Sequence, residues 1–132
     1  MGAAVARRLD RLPDFDAAFV VDRDAEVARR AADGLGPGVA VATSVGALDE
    51  AAADVDVVVE ATSSVYHALA HCLWALGRGA DVVLMNAEVD LAFGVPLRRA
   101  AESAGRLVSS DAGDQHGVLM RMAEELRLWG VR

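Results

Sequence analysis

Four groups of residues in this chain have types and spacing suited to chemistry. Asp22 is followed by Arg23, and Ala61, Thr62 and Ser63 follow the run V-D-V-V-V-E. Asn86, Ala87 and Glu88 close the run A-D-V-V-L-M, and Asp111 to Gly117 reads D-A-G-D-Q-H-G. A carboxylate accepts from two vicinal hydroxyls at once. In dinucleotide-binding folds such an acid, about 20 residues past a glycine-rich turn, holds the adenosine ribose. Asp22 stands at that distance from Gly2. Its alternative role is local, as the cap or solvated end of a strand. Arg23 can pair with a 2′-phosphate and select NADP, or be an ordinary surface arginine, so NAD and NADP both stay open.

Thr62 and Ser63 are placed to contact the pyrophosphate or the nicotinamide ribose of such a cofactor. Together with Ser64 they can also cap the following helix, and the two roles are compatible. Asn86 offers a donor and acceptors where a nicotinamide ring and a substrate would meet, or is a turn asparagine. His67 and His71 are spaced i, i+4, which can chelate a metal. No third ligand or intervening acid accompanies them, so no metal is expected. Cys72 falls on the apolar face of its helix and is not expected to be a nucleophile. His116 could move a proton, although a loop histidine is the commoner case.

These residues need a scaffold that gathers the ends of several strands. Val55, Val57, Val58 and Val59 lack the alternation of a half-solvated strand, which predicts a strand covered on both faces. Asp16 to Asp22 and Ala80 to Met85 read likewise as buried strands, with shorter ones at Val39 to Ala42 and Arg106 to Ser110. Helices are expected at Met1 to Leu12, Asp24 to Asp33 with an apolar face through Val27 and Ala31, and Gly46 to Ala53. Ser63 to Gly77 carries the stripe Val65, Leu69, Cys72, Leu73 and Leu76, with Trp74 on the histidine face. An exposed tryptophan there predicts a covering domain or subunit, hence a homo-oligomer among the expected partners. A connection through Gly94 and Pro96 should lead to a helix at Leu97 to Ala104. The last helix is striped by Leu119, Met122, Leu126 and Trp129.

Alternating strands and helices predict an α/β fold with a doubly wound, mainly parallel sheet, as a single dinucleotide-binding domain over residues 1–132. The first strand and its glycine-rich turn are missing from that pattern. Met1-Gly2-Ala3-Ala4 can be the tail of a G-x-G-x-x-G, with Gly2 as the last glycine, the one that packs helix on strand. Either the chain is a piece of a longer protein, which is the expectation, or the strands close up around the gap.

Composition narrows the partners. A net charge of −7 argues against nucleic acid or an anionic membrane as partner. It leaves room for a nucleotide held by backbone amides at one small site. One cysteine gives no intrachain disulfide. No apolar run approaches a membrane span, and the N-terminus lacks a secretory signal, so a cytoplasmic location is expected.

The blocks V-D-V-V-V-E-A-T (Val55 to Thr62), G-R-G-A-D-V-V-L-M-N-A-E-V-D (Gly77 to Asp90) and D-A-G-D-Q-H-G-V-L-M (Asp111 to Met120) resemble homoserine dehydrogenase-like oxidoreductases. Their nearest branch is the group with a C-terminal SAF domain, which includes deoxyxylulose-phosphate reductoisomerase-like enzymes. The resemblance implies an NAD(P)-binding Rossmann domain, followed in complete members by a catalytic and dimerisation domain that takes a small carbonyl or alcohol substrate. It implies that Asp22 holds the adenosine ribose, Thr62 and Ser63 the diphosphate side, and Asn86 to Glu88 the nicotinamide edge. Glu88 stands where true homoserine dehydrogenases have a lysine, which argues against homoserine itself. Asp111 and Ala112 are exchanged relative to the family's A-D-G-D-Q order. The family's catalytic residues would lie beyond Arg132. The rival expectation is a non-catalytic Rossmann-like module for ligand binding or interaction.

Overall fold

The computed structural model describes residues 2–48, 54–110 and 115–131, with the side chains of residues 115–117 outside that description. The chain opens with helix α1 (Gly2–Leu9). A helix carried on to Leu12 would set the Pro13 ring against the carbonyl of Leu9. Instead the Leu12 amide donates to Leu9 O at 2.8 Å in a tighter turn.

Strand β1 (Phe19–Val21) pairs parallel with β2 (Ala40–Ala42) in the register Phe19↔Ala40 to Val21↔Ala42. Helix α2 (Ala25–Ala32) joins them, and its N-cap Asp24 accepts hydrogen bonds from the amides of Glu26 and Val27. Its buried positions are Ala28 and Ala31, whereas Val27, expected on the apolar face, is exposed. Two alanines let the helix lie close on a two-stranded sheet. One turn of 3₁₀ helix, Val45–Leu48, follows β2. The rest of the helix expected at Gly46 to Ala53 lies outside the described residues.

The second sheet has the order β3-β4-β5, from β3 (Val57–Glu60), β4 (Asp81–Leu84) and β5 (Val108–Ser110), all parallel. Helix α3 (Val65–Gly77) buries Ala68, Cys72, Ala75 and Leu76. Leu73, expected in its apolar stripe, is exposed. Helix α4 runs unbroken over Ala87–Ala104 with Pro96 inside it, correcting the expected connection through Gly94 and Pro96. Val89, Leu97 and Ala101 are buried along one face, and that burial holds the helix together across the missing proline amide. It ends where Gly105, at φ 64, takes the left-handed conformation that a side chain would disfavour. Helix α5 (Gln115–Leu128) leaves its expected stripe of Leu119, Met122 and Leu126 exposed, as is Trp129 beyond its end.

The pairs β2-β1 and β3-β4-β5 are the two flanks of a doubly wound order, hydrogen-bonded as separate sheets. No β1–β3 pairing closes the gap, contrary to one of the two alternatives the sequence left open. The strands beside the gap are accordingly less covered than a buried parallel strand requires. Phe19 to Val21 are half-buried and Val57 is 43% exposed. The core lies mainly between the three-stranded sheet and α3 and α4, around Val58, Val82, Leu84, Val89 and Leu97. A smaller core around Ala42 and Leu48 serves the other sheet, and Phe19, Val55 and Trp74 pack against both. Trp74, expected to be exposed, is half-buried, with this chain's own Phe19 at 5.8 Å in an edge-to-face contact.

Candidate functional site

β3 carries Val58 and Glu60 on the buried side, so the strand's last residue sets a carboxylate into the core end of the site. Glu60 is 3% exposed. A carboxylate there needs partners, and the chain supplies them. Glu60 Oε1 accepts from the Thr62 amide at 2.7 Å, and Oε2 meets His71 Nδ1 at 2.9 Å. Burial pushes the Glu60 carboxyl up. The hydrogen bonds from His71 and Thr62 outweigh it and hold the group below its ordinary value. An ionised carboxylate only accepts, so Nδ1 of His71 is the donor.

The turn after β3 continues this network. Thr62 O accepts from Asn86 Nδ2 at 2.9 Å, tying the β3–α3 turn to the β4–α4 turn. Ser64 takes the N-cap position of α3 without a side-chain cap bond, so the serines and threonine here do not cap the helix as expected. The Thr62 hydroxyl instead approaches Ser64 O at 3.4 Å. Ser63 is exposed. On the other side of the turn, a Cβ placed on Gly2 would lie 3.3 Å from Ala61 Cβ. The start of α1 therefore abuts the carboxyl end of β3.

Asn86 is the N-cap position of α4 and 8% exposed; its side chain makes no cap bond. Its Oδ1 is buried without a partner among the described residues. Ala87 and Glu88 are not part of a strand end. They form the first turn of α4, because β4 stops at Leu84, and Glu88 is exposed there.

Asp22 follows β1 directly, and its amide donates to Ala42 O at 3.2 Å. Its Oδ1 accepts from the Asp24 amide at 2.9 Å, a local turn that orients the carboxylate at the carboxyl end of the strand. Arg23 beside it is exposed. The site residues thus fall into two groups: Gly2, Ala61, Thr62 and Asn86 meet directly, and Asp22 with Arg23 stands on the other sheet.

His67 is exposed while His71 turns to Glu60, so the i, i+4 spacing does not converge on a common point. No cluster of metal-ligating side chains occurs among the described residues. Cys72 is fully buried; burial and then the Glu60 charge push its thiol up to about 12, which makes it inert as a nucleophile. The motif Asp111 to Gly117 falls on residues 111–114 and on side chains that lie outside the described set, His116 included.

The Glu60–His71 pair was not assigned from sequence. Its signal was a carboxylate closing an otherwise apolar run, which must find a partner when buried. That partner lies eleven residues on and is brought back only by the crossover from β3 to α3.

The family model for the homoserine dehydrogenase NAD-binding domain matches residues 1–109, from α1 through β5. Comparison with curated proteins and with solved structures gives no match.

Proposed function

The chain belongs to the family of homoserine dehydrogenase NAD-binding domains, and on that premise we propose that it holds NAD(P) in the crevice between the start of α1 and the β3–α3 turn. The observation that carries this reading is the close approach of Gly2 to Ala61, which sets the start of α1 beside the β3–α3 turn. The N-terminus of a helix suits a diphosphate, and a side chain at Gly2 would crowd the contact with Ala61. Thr62 and Ser63 form the opposite lip. Asp22, held by its turn to Asp24, takes the adenosine ribose, with Arg23 available for a 2′-phosphate. Asn86, Ala87 and Glu88 border the nicotinamide end.

When bound, the nicotinamide supplies hydride exchange with a small carbonyl or alcohol substrate. The residues of this chain supply orientation: fixed amides at the diphosphate, a carboxylate at the ribose and a rigid turn between them. Titration of NADH and NADPH into the full chain, followed by nicotinamide fluorescence, is expected to give saturable binding. Asp22→Ala should weaken it about tenfold, the loss expected for a charge-assisted hydrogen bond. Absence of saturable binding by either nucleotide overturns the reading.

A further inference from the structure

Thr62 has both of its backbone polar groups held by side chains from elsewhere in the fold. Glu60 accepts from its amide at 2.7 Å, and Asn86 donates to its carbonyl at 2.9 Å. Two such bonds, one on each of the peptides that flank Thr62, fix the residue's orientation in a turn that has no ladder to do so. Glu60 itself is fixed by His71, whose ring is 19% exposed on the side of α3 that faces the end of β3. We propose that His71 is a positioning residue: through Glu60 it holds the Thr62 peptide, and so sets the shape and affinity of the dinucleotide crevice, without touching the dinucleotide. The second half of that statement rests on the function proposed above; the first half does not.

The chemistry favours this arrangement. A buried glutamate without His71 would have one oxygen unpaired, and would regain a partner by turning toward solvent or by taking up a proton. Either response withdraws or weakens its bond to the Thr62 amide. The neighbouring Cys72 is a poor replacement for the histidine, since its buried thiol S–H is only a weak donor. His67, one turn earlier on α3, is exposed. The turn of residues 61–64 therefore depends on one side chain of α3 for its only charged anchor among the described residues.

The bond uses Nδ1, and that atom gives a discriminating test. Asparagine carries its amide nitrogen where Nδ1 stands, whereas glutamine carries it nearer the position of Nε2. His71→Asn should therefore keep the donor to Glu60, and His71→Gln and His71→Ala should lose it. Hydrogen exchange at the Thr62 amide, read by NMR on the full chain without nucleotide, tests the positioning. Protection is expected to fall about tenfold or more in the Ala and Gln variants and to stay within about twofold in the Asn variant. NADH titration of the same proteins should show Kd raised about five- to tenfold in the first two and nearly unchanged in the third. Thermal midpoints of all three variants establish that each is folded.

Unchanged Thr62 exchange in His71→Ala, or equal behaviour of the Asn and Gln variants, overturns the positioning role. Changed exchange with unchanged Kd overturns its link to the crevice. If the unaltered chain binds no dinucleotide, the functional reading and that link fall together, and the exchange data still decide whether His71 positions Thr62.

Discussion

Asn86 is divided between an amide nitrogen that is used and an oxygen that is not. Its Nδ2 donates to Thr62 O, while its Oδ1 is buried with no partner among the described residues. A buried acceptor left open lowers stability. Asn86→Ala should lower the unfolding free energy by about 1–3 kcal/mol, because the Thr62 carbonyl then loses its donor; urea denaturation measures this. A destabilisation near zero would mean that water replaces the amide at no loss. Glu60 gives a pH signature of definite sign. Its carboxyl is held below its ordinary value of 4.5, so its stabilisation is present above that value and is lost as pH falls through the folded value. The stability difference between the unaltered chain and Glu60→Gln should therefore shrink as pH is lowered below about 4.5 in parallel denaturation curves. Sequence showed Asp22, Thr62 and Asn86 as candidate polar groups at strand ends. It did not show that Asn86 reaches Thr62, because that pairing arrives by a crossover rather than by neighbouring position.

Among the elements, α4 shows most plainly how local signals can mislead. Gly94 and Pro96, two residues apart, read as a break, yet the helix passes through both. Burial of Val89, Leu97 and Ala101 against the sheet outweighs the lost amide of Pro96. Gly94 is buried, and a Cβ there would overlap the Asp90 carboxylate that lies over it. That glycine answers to packing within the helix rather than to a turn. Because Pro96 is exposed inside a helix, Pro96→Ala should raise stability by about 1–3 kcal/mol. A scanning calorimetry midpoint that stays put or falls would show that the proline is needed where it is. Strand identity was legible throughout, since apolar runs bounded by polar residues mark strands well. Strand length was less so. Residues 16–18 have strand-forming neighbours, but the ladder can be no longer than β2, which supplies three partners. The cap Asp24 was legible from its place before α2, and its carboxyl is lowered first by the Val27 and Glu26 amides it accepts from.

At the scale of the whole molecule, the separation of the two sheets decides how the chain holds together. The α/β alternation was legible from end to end, and so was the likelihood of a gap beside β1; how the flanks stay joined was not. The joint is Trp74. It sits edge-on to Phe19 at 5.8 Å and 83°, with the Arg78 guanidinium 5.3 Å from its ring centre. Sequence placed Trp74 on an outward face because helical periodicity knows only its own axis, whereas β1 reaches the ring from the neighbouring sheet. An edge-to-face pair of this kind couples its partners beyond the area they bury. Trp74→Ala should destabilise the chain by about 2–4 kcal/mol, less than a fully buried tryptophan at the upper end of its range. Its effect should also be directional: amide protection in β1 and β2 should fall before that in β3, β4 and β5. A double-mutant cycle with Phe19→Ala should return a coupling of about 0.5–1.5 kcal/mol. Strict additivity of the two substitutions, or equal loss of protection in both sheets, would show that the flanks are joined by some other contact.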